Sequence, residues 1–177
     1  MSLLPRVHRL VLCATALALL SARPLAAEVP TPESHFGFRM GTDRQLASMV
    51  ETERYFELIS KKSDRVKIID IGPTTEGRRT LAAIISAPEN LENLDEIRHT
   101  NQRLADPRTL SPEEARRLAR THKTVLAIGC SIHASEVGAT QAANELLFTL
   151  ASASDPETLE VLQIGRASCR ERVYVLV

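Results

Sequence analysis

The sequence predicts an α/β protein in which helices flank a sheet. Three observations lead to this class. Segments 65–72 and 80–88 are short, apolar and β-branched, and a brief turn joins them. A third apolar segment, 123–130, is followed at once by a stretch with helical spacing. Finally, 44% hydrophobic and 25% charged residues are the proportions of a globular protein with a core, not of a disordered chain.

The first half of the chain predicts a helix and then a β-hairpin. Thr42 and Gln45 have the spacing of a capping box, so we expect a helix from Thr42 to about Ser60. The strand at 65–72 ends at Gly72 and Pro73. Because the connection to the strand at 80–88 is short, the two strands are expected to pair antiparallel.

The second half alternates helices with one strand. Apolar residues at helical spacing predict a helix within 89–106, and Ser111, Pro112 and Glu114 mark the start of another. The segment 123–130 is almost wholly apolar, which predicts a strand buried on both faces. A further helix is expected over 136–152.

Both ends of the chain look unlike the middle. Residues 1–27 combine a basic start, an eleven-residue apolar run and small residues at Ala26 and Ala27, which predicts a cleaved secretory signal peptide. The apolar run is too short to span a bilayer. We therefore expect a periplasmic or secreted protein without stable membrane insertion after cleavage. An ordinary buried N-terminal helix is the alternative.

Residues 164–177 break the pattern that precedes them. Three arginines fall within seven residues, and "IGRASCRERV" resembles the translation of a common sequencing adapter. We expect 164–177 to be a non-native tail, so that the natural reading frame continues past Gln163. A short basic tail is the alternative.

The remaining segment, 28–163, holds 16 lysines and arginines against 21 aspartates and glutamates, a net charge of −5. It shows no basic patch or aromatic platform, so we expect no nucleic-acid binding. Cys130 is the only cysteine in this segment, which excludes an internal disulfide there.

His133 and Glu136 are the candidate metal ligands. They follow the third predicted strand and precede a helix, where sites of α/β sheets usually form. An imidazole nitrogen and a carboxylate oxygen are ordinary zinc ligands, and the small neighbours Gly129 and Gly138 leave space. The spacing alone arises by chance in roughly one chain in five. The alternative is a pair of polar residues that cap and solvate the helix N-terminus.

A catalytic zinc usually has three protein ligands and a water, so a third ligand is needed. The other histidines of the segment are poor candidates. We expect His35 in a loop, His99 on the polar side of a helix and His122 in a solvated turn. Cys130 is more simply interpreted as a small buried residue than as a metal ligand.

"SIHASEVGATQ" resembles the HxxE zinc signature of the M14 zinc carboxypeptidases, with His133 and Glu136 in the ligand positions. "IGPTTEGRRTLAAIIS" is similar to the first hairpin of that family, and together with "PESHFGFRMGTDRQLA" it suggests the large exported bacterial branch. The resemblance implies a mixed sheet flanked by helices, of which 28–163 would be the truncated N-terminal part of the catalytic domain. It also implies Zn²⁺ and a peptide or protein substrate.

Several of the family's functional groups have no counterpart in this chain. They are a third ligand histidine, a late glutamate base, and the asparagine and arginine that hold the substrate carboxylate. Ser135 stands where classical members carry an arginine. The resemblance therefore implies a metallocarboxypeptidase whose fragment is inactive alone, with no catalytic residue in this part. Two alternatives stay open: a zinc amidase or deacylase of the same superfamily, and a non-catalytic exported binding domain.

Overall fold

The computed structural model of the chain describes residues 28–130, 133, 135–164 and 174–176. The predicted signal peptide and most of the predicted tail lie outside these residues. None of the described helices has both the length and the apolar character needed to cross a bilayer.

The described chain alternates helices and strands in the order that an α/β protein requires. The helices are α1 (Pro32–Phe36), α2 (Met49–Lys62), α3 (Pro88–Glu92), α4 (Leu94–Ala105), α5 (Pro112–Thr121), α6 (Val137–Ala151) and α7 (Pro156–Ile164). The strands are β1 (Val66–Pro73), β2 (Arg79–Ile85), β3 (Ile128–Gly129) and β4 (Tyr174–Leu176).

The four strands form one mixed sheet in the order β1-β2-β4-β3. β1 and β2 pair antiparallel, with Ile68 opposite Ala83, so the hairpin predicted from the short connection is confirmed. β4 pairs antiparallel with β2 and parallel with β3. The predicted α/β class, with a partial mixed sheet and flanking helices, is therefore confirmed.

The core lies between the β1–β2 hairpin and the helices α2 and α6. Tyr55, Phe56 and Ile59 of α2 are at most 1% exposed, and Leu147 of α6 is 0% exposed. They pack in one cluster with buried residues of both strands and of α7. This packing fixes the position of α6, whose first turn follows the candidate ligands.

The helix predicted to begin at Thr42 begins instead at Met49. Ser48 is its N-cap, and the Ser48 hydroxyl accepts a hydrogen bond from the backbone N–H of Glu51. Arg44 has φ 60°, a left-handed conformation that cannot continue a right-handed helix. The helix start predicted from the capping-box pattern at Thr42 is therefore wrong, because the chain forms turns there.

Two further predictions need correction. The helix expected within 89–106 is two helices, α3 and α4, separated at Asn93. The strand expected over 123–130 is only Ile128–Gly129, and it is not buried on both faces: Ile128 is half-buried and Gly129 is exposed. Among the described residues β3 pairs only with the three-residue β4, so one of its flanks stays open.

Candidate metal centre

The predicted ligands lie in the connection between β3 and α6. His133 is four residues past the end of β3, and Glu136 is the N-cap residue of α6. Both side chains reach solvent: that of His133 is 72% exposed and that of Glu136 is 47% exposed. The sequence therefore placed both residues correctly, in a loop and at a helix start.

The two side chains contact each other directly. Nδ1 of His133 lies 2.6 Å from Oε1 of Glu136. Because an ionised carboxylate can only accept, Nδ1 is the donor in this hydrogen bond. The backbone N–H of His133 donates to Oε2 of Glu136 at 3.1 Å, and the N–H of Glu136 donates to the carbonyl of His133 at 3.0 Å. Three hydrogen bonds thus hold the pair in one compact turn.

Glu136 does not cap α6 through a side-chain hydrogen bond. A residue that caps a helix with its side chain accepts hydrogen bonds from the first N–H groups of that helix. Glu136 makes no such side-chain hydrogen bond to α6, and its carboxylate instead turns back towards His133. The carboxylate of Glu136 therefore hydrogen-bonds to the imidazole of His133 and does not cap the first N–H groups of α6.

The pair fits two ligands of a zinc ion. Two ligands of a tetrahedral zinc, each at about 2.0–2.1 Å, lie about 3.3 Å apart. To bind zinc from the observed 2.6 Å contact, the two exposed side chains would rotate slightly apart and Nδ1 would lose its proton, because a metal-bound imidazole nitrogen carries none. Nitrogen and carboxylate oxygen are also the donors that zinc takes in catalytic sites.

The described part of the chain does not complete a metal site. It contains no group of three histidine, cysteine, aspartate or glutamate side chains that could hold a metal ion. His133 and Glu136 stay a predicted pair of ligands, without a third donor among the residues that the structure describes.

The buried face of α6 holds Glu136 in place. Asn144 is 0% exposed, and its amide donates to Oγ1 of Thr52 on α2 at 3.2 Å and to the carbonyl of Thr140 at 3.0 Å. Gln141 accepts a hydrogen bond from the backbone N–H of Gly41 at 2.9 Å, which ties the N-terminal loop to α6. Sequence reasoning missed both contacts, because they join residues about 90 to 100 positions apart.

The other possible metal donors, which are histidines and Cys130, form no three-donor group with His133 and Glu136 among the described residues. His35 lies in α1 and not in a loop, so that prediction was wrong. It is half-buried, and its ring contacts Phe36 and Tyr55 with centroids 4.8 and 5.0 Å away. His99 is exposed, as expected. Burial raises the pKa of the Cys130 thiol, which disfavours the thiolate that a metal requires.

His122 departs from its prediction as a residue of a solvated turn. It is half-buried, its Nε2 is fully buried, and burial lowers the pKa of its ring. His122 lines a cavity together with residues of α4 and α5, and the sequence carries no local signal for this.

The turn between β1 and β2 is exposed to solvent. Glu76 pairs with Arg78 at 3.3 Å, and both are 73% exposed. Arg79 instead bridges Glu57 and Asp70 at 2.7 and 3.1 Å. Its hydrogen bond lowers the pKa of Glu57, whereas the pKa of Asp70 is lowered first by the backbone N–H of Gly72 and then by Arg79. These contacts join β2 to α2 and β1, so Arg79 has a structural role.

Comparison with known proteins gives one clear relationship. The family model described as zinc carboxypeptidase, peptidase family M14, matches residues 52–164. The match covers the helix α2, the β1–β2 hairpin, the His133 and Glu136 pair, and α6 and α7. No curated protein and no solved structure matches the chain. Since the family model covers more than half of the 177 residues, the chain belongs to the M14 zinc carboxypeptidase family.

Proposed function

We propose that this chain is the N-terminal part of an exported zinc carboxypeptidase in which His133 and Glu136 hold the metal. The observation that carries the proposal is the 2.6 Å contact between Nδ1 of His133 and Oε1 of Glu136, at the start of a helix inside the matched family region. Zinc, when bound, lowers the pKa of its water and polarises the scissile carbonyl of a peptide.

The residues of this chain have a limited part in that chemistry. His133 and Glu136 orient the metal, and the backbone hydrogen bonds between them hold the two donors on one side of the turn. The proton of the attacking water needs a separate base. We place that base and a third ligand beyond residue 163, so the isolated fragment is inactive.

Two variants and one control test the metal site in the full-length protein. His133→Ala and Glu136→Ala each remove one donor, and His99→Ala removes an exposed histidine of α4. We expect the first two to lose bound zinc, measured by elemental analysis, and at least about a hundredfold in peptidase activity. His99→Ala should keep both. Full zinc occupancy and unchanged activity in His133→Ala would contradict the proposal.

The choice of substrate tests the reaction class. A carboxypeptidase cleaves a peptide with a free terminal carboxylate and rejects the same peptide as a C-terminal amide. Ser135, which stands where an arginine is typical of the family, makes this comparison informative. Equal cleavage of both peptides would instead indicate an amidase or endopeptidase specificity. A protein without zinc and without activity would be a binding domain.

Export is a separate part of the proposal, supported by the composition of residues 1–27. N-terminal sequencing of the protein from the periplasm or medium should start at about Glu28. A protein that stays in the cytoplasm with Met1 intact would refute it.

A further inference from the structure

A polar cavity of about 420 Å³ lies between α4, α5 and the segment that follows α5. A second cavity of about 270 Å³ shares His122 and Lys123 with it. Neither α4 nor α5 contains a fully buried residue, so the two helices pack loosely above this space. The volume of the first cavity is within the range of small-molecule sites, roughly 300–1,000 Å³.

The lining of this α4–α5 cavity offers more hydrogen-bond donors than acceptors. Arg117 has five N–H donors, and its nearest carboxylate, that of Glu114, is 4.0 Å away. Lys123 uses one of three donors on the carbonyl of Gln163, at 2.8 Å. Glu96 supplies the only carboxylate among the described lining residues. Two cations against one anion favour an acceptor-rich, negatively charged ligand.

A buried nitrogen adds an independent observation. Nε2 of His122 is fully buried and has no hydrogen-bond partner in the described part of the chain. A buried polar atom without a partner is destabilising, and such atoms often mark sites for water or ligands. His122 lines both cavities, but because its Nε2 is fully buried in this conformation, a ligand would reach that nitrogen only after the ring turns.

We propose that the α4–α5 cavity binds a small anion, a carboxylate or a phosphate, through Arg117 and Lys123. Ile97 and Leu118 line the same cavity and suit a short apolar portion of that ligand. The site is distinct from His133 and Glu136, and the inference does not depend on the proposed peptidase activity.

Isothermal titration of the full-length protein tests this site. The probes are N-acetylleucine, its neutral amide and inorganic phosphate, and the titrations use the His133→Ala background so that anions at the candidate metal centre are not counted. Arg117→Gln removes one lining cation that is 65% exposed, so the fold should not change. The matched control is Arg116→Gln, which removes the adjacent exposed arginine outside the lining. Lys123→Gln is a second, independent variant.

We expect saturable binding of an anionic probe and none of the amide. Arg117→Gln and Lys123→Gln should each weaken binding about tenfold, the effect of losing one charge-assisted hydrogen bond. Arg116→Gln should change it less than twofold. Binding of N-acetylleucine alone indicates a carboxylate ligand, and binding of phosphate alone indicates a phosphoryl ligand. Equal losses in the two arginine variants, equal binding of the amide, or no saturation would each overturn the proposal.

Discussion

The substitution Leu147→Ala tests whether α6 packs on α2 in a tight core. Leu147 is 0% exposed and belongs to the central core cluster, about three helical turns after Glu136. The change removes three carbon atoms. At about 0.8 kcal/mol per buried methylene, the transfer loss is about 2.4 kcal/mol. The remaining cavity brings the total to about 3–4 kcal/mol, within the measured range for buried leucines.

Thermal unfolding of the full-length protein, followed by circular dichroism, measures this loss. A destabilisation of about 3–4 kcal/mol corresponds to a fall in Tm of about 10 °C for a domain of this size class. The matched control is Leu46→Ala, the same chemical change at a leucine that is 59% exposed. A surface substitution of this kind changes stability by about 0.5 kcal/mol or less. Equal shifts for the two variants would show that Leu147 does not lie in a packed core.

Two further predictions concern helix starts. Ser48→Ala should lower the free energy of unfolding by about 1 kcal/mol, because it removes the side-chain cap of α2. Thr42→Ala is the control and should change the free energy of unfolding by about half of that or less, since Thr42 caps no helix. Urea denaturation measures the free energy of unfolding of both variants. A larger loss in Thr42→Ala than in Ser48→Ala would indicate that the helix begins at Thr42, as the sequence predicts. At Asp155, the backbone N–H of Thr158 holds the carboxyl pKa below its usual value. The wild type should therefore exceed Asp155→Asn in Tm at pH 7, and that advantage should disappear as the pH falls below about 4, through the lowered pKa. A pH-independent difference would exclude the charge as its source.

Elements whose signals are local could be predicted from the sequence. Ser111 caps α5 as expected, and its hydroxyl accepts from the N–H of Glu114 at 3.2 Å, because a cap depends only on residues within one turn. The β1–β2 hairpin has a short turn between two apolar segments, and Glu136 sits at a helix start for the same reason. Each of these features needs only a few neighbouring residues.

Features set by distant contacts could not be predicted. Thr42 and Gln45 have the residue types of a capping box, but the N-terminal loop is tied instead to Gln141 on α6 and takes a left-handed turn at Arg44. Likewise the burial of His122 depends on helices packed above it, not on its neighbours in sequence. A tertiary contact that stabilises another conformation overrides the secondary-structure preference of the local sequence.

The candidate site also combines features that local sequence determines with features that only the folded chain determines. The sequence places His133 and Glu136 in a loop and at a helix start, since strand, loop and helix follow each other directly. Their mutual hydrogen bond, and the absence of a capping contact to α6, are properties of the folded turn. The proposed third ligand would come from a residue far along the chain, which no local pattern specifies.

The behaviour of residues 28–163 alone is the last prediction, and it depends on the edges of the sheet. Within the described chain β3 pairs only with β4, and β2 also pairs with β4 on the side away from β1. Without residues 174–176, both strands present unpaired backbone groups, and Ile71 is already 52% exposed. Open apolar edges promote association between chains.

We therefore expect the isolated 28–163 segment to be poorly soluble or partly unfolded, and to show no sharp thermal transition. Size-exclusion chromatography and a thermal scan measure this, with the full-length protein as the control. A monomer with a steep, cooperative transition would mean that the β1–β2 hairpin, α2 and α6 form a self-sufficient core. The chain after Gln163 would then be needed for chemistry and not for folding, whereas aggregation would mean that the metal site and the sheet are completed together.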